Sequence, residues 1–164
     1  MKTILSIDQG TTSSRAILFR VDGSIVGIRQ KELTLYTPRS GWVEQNPEDI
    51  WSDTLWCVQS LLKDYPEEAA GLASIGVTNQ RETTILWDRH TGRPVYNAIV
   101  WQDRRTAEMC AALKPHEQDI GAKTGLLCDP YFSGSKIAWI LDHVGGARQK
   151  AERGELAFGT VDSF

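Results

Sequence analysis

Short apolar runs separated by polar turns open the chain, and helical spacing takes over further along. Thr3-Ile4-Leu5-Ser6-Ile7 is rich in β-formers, residues 16–21 form a second such run, and residues 25–28 a third. Asp22-Gly23 between the second and third is a strong hairpin signal. The polar stretch Asp8-Gln9-Gly10-Thr11-Thr12-Ser13-Ser14-Arg15 links the first two in the same up-and-down way. Three successive antiparallel strands exclude a Rossmann start, which places a helix after its first strand.

Asn46 is a good cap for the helix that follows, Pro47 suits its first position, and Glu48 and Asp49 complement the dipole. Trp51, Leu55, Val58 and Leu62 fall on one predicted apolar stripe, and Tyr65-Pro66 ends the helix. Strands are expected at residues 72–78 and 83–87, then a turn at 90–94 and extended chain at 95–101. Asp103 is the expected cap of a helix carrying Thr106, Met109, Cys110 and Leu113. A further helix starts near Ser133, with Ile137, Ile140, Leu141 and Val144 at helical spacing, and Gly145-Gly146 stops it. A charged helix at 147–153 and a strand at 156–160 complete the series. The order is βββ-α-β followed by a mixed α/β continuation, an α/β fold with helices packed on a mixed sheet. Residues 161–164 look like the start of another apolar element, so the domain is expected to be incomplete.

Composition narrows the class. At 164 residues with 41% apolar and 24% charged positions, the chain suits one globular domain. A net charge of −3 argues against a nucleic-acid partner, which calls for a basic face. The three cysteines, Cys57, Cys110 and Cys128, lie far apart with no CxxC pair, so neither a zinc site nor a disulfide framework is expected, and a cytoplasmic setting is. No signal peptide and no membrane span are expected. Six tryptophans are many for this length; most should be core, with one or two available as a ligand wall.

Four polar stretches carry the candidate chemistry. In residues 8–15 a carboxylate ends a strand, and a glycine, four hydroxyl residues and an arginine follow. Gly10 allows positive φ and close backbone approach, the hydroxyls and amides suit phosphate oxygens, and Asp8 suits Mg²⁺. An ordinary solvated turn has the same composition, and these eight residues alone leave both readings open. In Thr78-Asn79-Gln80-Arg81-Glu82-Thr83-Thr84, Arg81 offers donors beside the acceptor Glu82, as a polyol hydroxyl requires, although an adjacent surface ion pair explains it equally well. Trp101, before Gln102-Asp103-Arg104-Arg105, could cover the CH face of a polyol, and Tyr131 could reach a ligand; both also suit plain packing. There is no P-loop, GxGxxG or GxSxG motif, and His90, His116 and His143 share no ligand spacing.

Taken together, these stretches resemble the FGGY family of carbohydrate kinases. Residues 8–15 match its first phosphate loop. Trp42-Val43-Glu44, Asn79-Gln80-Arg81-Glu82-Thr83, Asn97-Ala98-Ile99-Val100-Trp101-Gln102 and Gly125-Leu126 through Tyr131-Phe132-Ser133 match in the same order. The Arg81-Glu82 pair resembles the glycerol branch rather than the pentulose kinases. The resemblance implies the ribonuclease H-like fold of actin, hexokinase and the Hsp70 ATPase, with residues 1–164 as the opening part of the first kinase domain. It implies ATP-dependent phosphorylation of glycerol to sn-glycerol 3-phosphate. Arg81, Glu82, Trp101 and Tyr131 would hold glycerol, Thr11, Thr12, Ser13 and Arg15 the nucleotide phosphates, and Asp8 would act through Mg²⁺. It leaves room for a homo-oligomer in the complete enzyme. The family's proton-accepting aspartate lies in a Gly-Asp-Gln motif, and Gly-Asp occurs nowhere in these residues, so the chain alone is expected to be inactive. Another polyol or pentulose kinase, or a non-catalytic polyol-binding regulator, is the alternative.

Overall fold

A computed structural model describes residues 2–164. The first elements are β1 (Thr3–Gln9), β2 (Ser13–Arg20), β3 (Ile25–Glu32) and the two-residue β4 (Glu44–Gln45). Helices α1 (Pro47–Asp64) and α2 (Pro66–Ala69) follow, then β5 (Leu72–Thr78), β6 (Ile85–Asp88) and β7 (Ala98–Ile99). The chain continues through α3 (Ala107–Leu113), a 3-10 turn at Lys114–His116, α4 (Glu117–Thr124), α5 (Ser133–His143), α6 (Ala147–Glu152) and β8 (Leu156–Gly159). They form two units, one comprising the described residues through Thr34 with Asn46–Gln80, the other Leu35–Gln45 with Arg81–Phe164. No helix among the described residues is long and apolar enough to cross a membrane.

The first unit is a four-stranded sheet of order β3-β2-β1-β5, antiparallel except for the parallel pair β1–β5. This is the mixed sheet expected from the sequence, and α1 is the crossover that makes the last pairing parallel. Leu5, Ala16 and Leu18 from the sheet meet Cys57 and Leu61 from α1, all without solvent exposure. Gly27 lets the Tyr65 ring lie against β3, since a Cβ there would sit 2.3 Å from the ring.

The β2–β3 turn differs from a two-residue hairpin, which needs positive φ at both central positions. Gly23 alone takes it (φ +87°), while Asp22 Oδ1 accepts from the Ser24 amide at 2.9 Å and hydroxyl at 2.7 Å. The extra residue is absorbed by a register shift between Leu18 and Phe19.

In α1 the Asn46 cap forms as expected, its Oδ1 accepting from the Glu48 amide at 3.1 Å. The apolar stripe forms only in part, with Val58 packed against the core. Ile50, Asp53, Cys57 and Leu61 face the sheet, whereas Trp51 and Leu55 are exposed. The buried face is displaced by about one residue from the predicted one, with Cys57 and Leu61 packed on the sheet and Asp53 at its rim paired to the half-exposed Lys31 ammonium at 2.5 Å.

In the second unit β4 pairs with β7 and β6 with β8, both antiparallel, around Leu86, Ile99 and Ile140. One expectation needs correcting here. Asp103 caps no helix: α3 begins at Ala107, and Asp103 is buried against Arg105 instead. The stretch 114–124, with no apolar periodicity, forms a 3-10 turn and α4, which Gly125 ends at φ +72°.

Candidate functional site

The loop in the first unit is shorter than its sequence suggests. β1 runs on through Asp8 and Gln9, and β2 already contains Ser13, Ser14 and Arg15, leaving Gly10, Thr11 and Thr12 as the connection. Asp8 and Arg15 are paired in the ladder, and their side chains approach to 3.9 Å. Gly10 is not among the glycines with positive φ; it is tight instead, since a Cβ would lie 3.2 Å from the Ser13 carbonyl. The Gly10 amide closes the turn on that carbonyl at 3.0 Å.

Two glutamines brace this turn from behind. Gln9 is buried and its Oε1 accepts from Ser14 Oγ at 2.8 Å and Thr54 Oγ1 at 2.7 Å, while Gln80 Nε2 donates to the Gly10 carbonyl at 3.2 Å. Ser13 is buried, and its Oγ accepts from Gln30 Nε2 at 3.1 Å. Ser13 therefore acts in the frame of the loop, and Thr11 and Thr12 are its more accessible hydroxyls. Arg15 Nε is buried without a hydrogen-bond partner among the described residues.

The second unit brings Glu82, Trp101 and Tyr131 together. Glu82 has φ +66°, the one non-glycine residue with positive φ among those described. Strained backbone of this kind costs about 1–3 kcal/mol and concentrates at functional sites. The Glu82 carboxylate reaches the first residue of α5, its Oε2 accepting from the Ser133 amide at 2.8 Å and the Ser133 hydroxyl at 2.7 Å. Thr83, the next residue, is fully buried, and its Oγ1 accepts from the Trp101 amide at 3.2 Å. The Trp101 and Tyr131 rings meet edge to face at 5.9 Å. Arg81 is exposed beside them in sequence. The resulting cluster offers an acceptor and two aromatic surfaces, with the Arg81 guanidinium next in sequence, which suits a small molecule with alternating hydroxyl and CH groups.

Residues 3–164 match the model of the N-terminal domain of the FGGY family of carbohydrate kinases. The chain belongs to the FGGY family. Among curated relatives, a glycerol kinase from Bradyrhizobium sp. (strain BTAi1) is 60% identical over 100% of this chain and 33% of its own length. A crystal structure of Plasmodium falciparum glycerol kinase with ADP superposes with TM-score 0.91 at 34% identity, covering 99% of this chain and 33% of that one. A xylulose kinase from Rhodospirillum rubrum superposes with TM-score 0.84 at 25% identity, covering 98% of this chain and 32% of the other. The chain thus spans about a third of the length of the relatives it matches.

This FGGY domain also contains a buried charge cluster that sequence inspection missed. The Arg105 guanidinium lies 3.9 Å from the Trp42 ring centroid and 4.6 Å from that of Trp139. It pairs with Glu44 and Asp103, each at 2.8 Å, with its side chain fully buried. Tyr96 and Asn97 donate to the two Glu44 oxygens at 2.7 and 2.9 Å, and Asp103 Oδ2 accepts from the Val43 amide at 2.6 Å. Burial pushes the Glu44 carboxyl up, but the donors Tyr96, Asn97 and Arg105 outweigh it and hold it below its ordinary value. Asp103 is two residues from Trp101, and its amide closes a turn on the Val100 carbonyl at 2.9 Å, so this cluster anchors the Trp101 loop. The signal was present as Trp42-Val43-Glu44 and Asp103-Arg104-Arg105, but sequence does not say that the two stretches meet.

Proposed function

We propose that the full-length protein containing this chain transfers the γ-phosphoryl group of ATP to a terminal hydroxyl of glycerol, giving sn-glycerol 3-phosphate and ADP. Glu82 carries the reading: a strained carboxylate beside the Trp101–Tyr131 pair and next in sequence to Arg81 suits a polyol hydroxyl, which donates one hydrogen bond and accepts others. One Glu82 oxygen is committed to Ser133, so the other is the acceptor for substrate. Arg81 would donate to a neighbouring hydroxyl, and the two rings would cover the carbon chain and exclude water. The similarity to curated glycerol kinases supports the same choice.

Thr11 and Thr12, with the turn amides, would donate to the nucleotide phosphates, Ser13 would keep the turn in shape, and Arg15 would offset their charge. Among the described residues no group of three or more His, Cys, Asp or Glu side chains can hold a metal alone. Asp8, with its side chain 38% exposed at a strand end, would be the protein's carboxylate toward a Mg²⁺ that accompanies the nucleotide. That ion, when bound, neutralises charge growing between the β- and γ-phosphates. In the transfer the glycerol oxygen would bond to the γ-phosphorus, the bond to the β–γ bridging oxygen would break, and the hydroxyl proton would pass to the aspartate of the Gly-Asp-Gln motif that the family resemblance implies, a motif residues 1–164 do not contain. The described cysteines are free thiols, in keeping with a cytoplasmic enzyme.

Steady-state kinetics on the full-length protein with ATP test the reading. Glycerol-dependent ADP release, with kcat/KM at least about 100-fold above that for a pentulose, is expected on the discrimination a hydrogen-bonding site achieves. A preference for the pentulose overturns it.

A further inference from the structure

The backbone of Tyr131 is fixed from both sides. Its amide donates to Asp129 Oδ1 at 2.8 Å, and its carbonyl accepts from Nζ of Lys136, one turn into α5. Lys136 has no solvent exposure, and among the described residues it forms no ion pair with a carboxylate. A buried ammonium that meets a carbonyl rather than a carboxylate is destabilising, and a methionine would fill the same space without that cost. The charged groups around it are the carboxylates of Glu82, Asp103 and Asp129, with the Cys110 thiol also nearby. Burial lowers the lysine to about 8 against their pull.

From this placement we infer that Lys136 is a positioning residue of the polyol site. Its ammonium ties the Tyr131 carbonyl to the first turn of α5. The same turn receives the Glu82 carboxylate through Ser133, so one buried cation sets both the Tyr131 ring beside Trp101 and the orientation of Glu82. The inference rests on the functional reading above.

Wild-type turnover of glycerol by the full-length protein, measured first, tests that reading by itself; its absence overturns both. Given turnover, Lys136→Met is expected to raise the glycerol KM about tenfold or more, leaving the ATP KM within about twofold and kcat within about threefold, a loss of one charge-assisted contact. A glycerol KM within about twofold of wild type in a folded Lys136→Met protein overturns the inference. If that variant does not fold, the wild-type pH profile decides. The glycerol KM should climb severalfold between about pH 7 and 10 as Lys136 loses its proton, with the ATP KM flat, and a flat glycerol KM overturns the inference.

Discussion

Glu82 holds the start of α5 through Ser133, whose amide and hydroxyl both donate to the same carboxylate oxygen, at 2.8 and 2.7 Å. A negative charge there also complements the helix dipole, worth about 0.3–1 kcal/mol. One side chain thus joins the strained Arg81-Glu82 turn to the helix that follows Tyr131.

Because Glu82 sits at φ +66°, glycine and alanine should behave differently there. Both lose the Ser133 acceptor, but only Glu82→Gly relieves the left-handed backbone, by roughly 1 kcal/mol. Thermal unfolding of the two full-length variants should place Glu82→Gly above Glu82→Ala. The reverse order contradicts the strain.

Arg105 is expected to be the most sensitive structural position in the second unit. Arg105→Met strands Glu44 and Asp103 as buried carboxylates, and breaking a buried pair costs about 3–5 kcal/mol. Arg105→Lys should recover little, since an ammonium cannot serve both carboxylates in a fork while also lying over the Trp42 and Trp139 rings. Urea unfolding measures both, and a loss under about 1 kcal/mol in Arg105→Met removes the cluster as an anchor.

The same cluster gives a pH dependence with a definite sign. The folded Glu44 carboxyl is held below its ordinary value of 4.5, so its contribution is complete above that value and disappears as pH falls through the lowered one. Wild type should therefore lose part of its stability on acidification from pH 5 downward, and Glu44→Gln, already weaker at neutral pH, should lose less. Parallel urea midpoints for the two proteins across that range would contradict the assignment.

If the β1–β2 turn and Arg15 hold the nucleotide phosphates as proposed, Arg15→Ala and Thr12→Ala should raise the ATP KM of the full-length protein, by about tenfold for the arginine, with the glycerol KM within about twofold. An unchanged ATP KM in both variants would remove the loop from nucleotide binding.

Local chemistry made much of this legible. The antiparallel N-terminal strands follow from alternating β-formers and a turn at Asp22-Gly23, and the α1 start follows from Asn46-Pro47. What escaped was decided by partners distant in sequence. Asp103 looks like a helix cap until Arg105 and the Val43 amide claim it. The α1 face is set by the sheet it meets, where Cys57 and Leu61 pack against Leu5, Ala16 and Leu18. Gly10 looked like a positive-φ residue, yet it serves close approach to Ser13. Glu82, Trp101 and Tyr131 were picked out by residue type and family resemblance; their meeting is tertiary, through Thr83, Ser133 and α5.

Isothermal titration of the full-length protein tests the central claim most directly, with glycerol and ADP titrated separately into wild type and Glu82→Ala. A Glu82 carboxylate that receives a substrate hydroxyl predicts glycerol binding weakened by at least about tenfold, since charged hydrogen bonds contribute about 1.5–3 kcal/mol. ADP binding should stay within about twofold of wild type. Unchanged glycerol affinity in a folded Glu82→Ala protein would contradict the account.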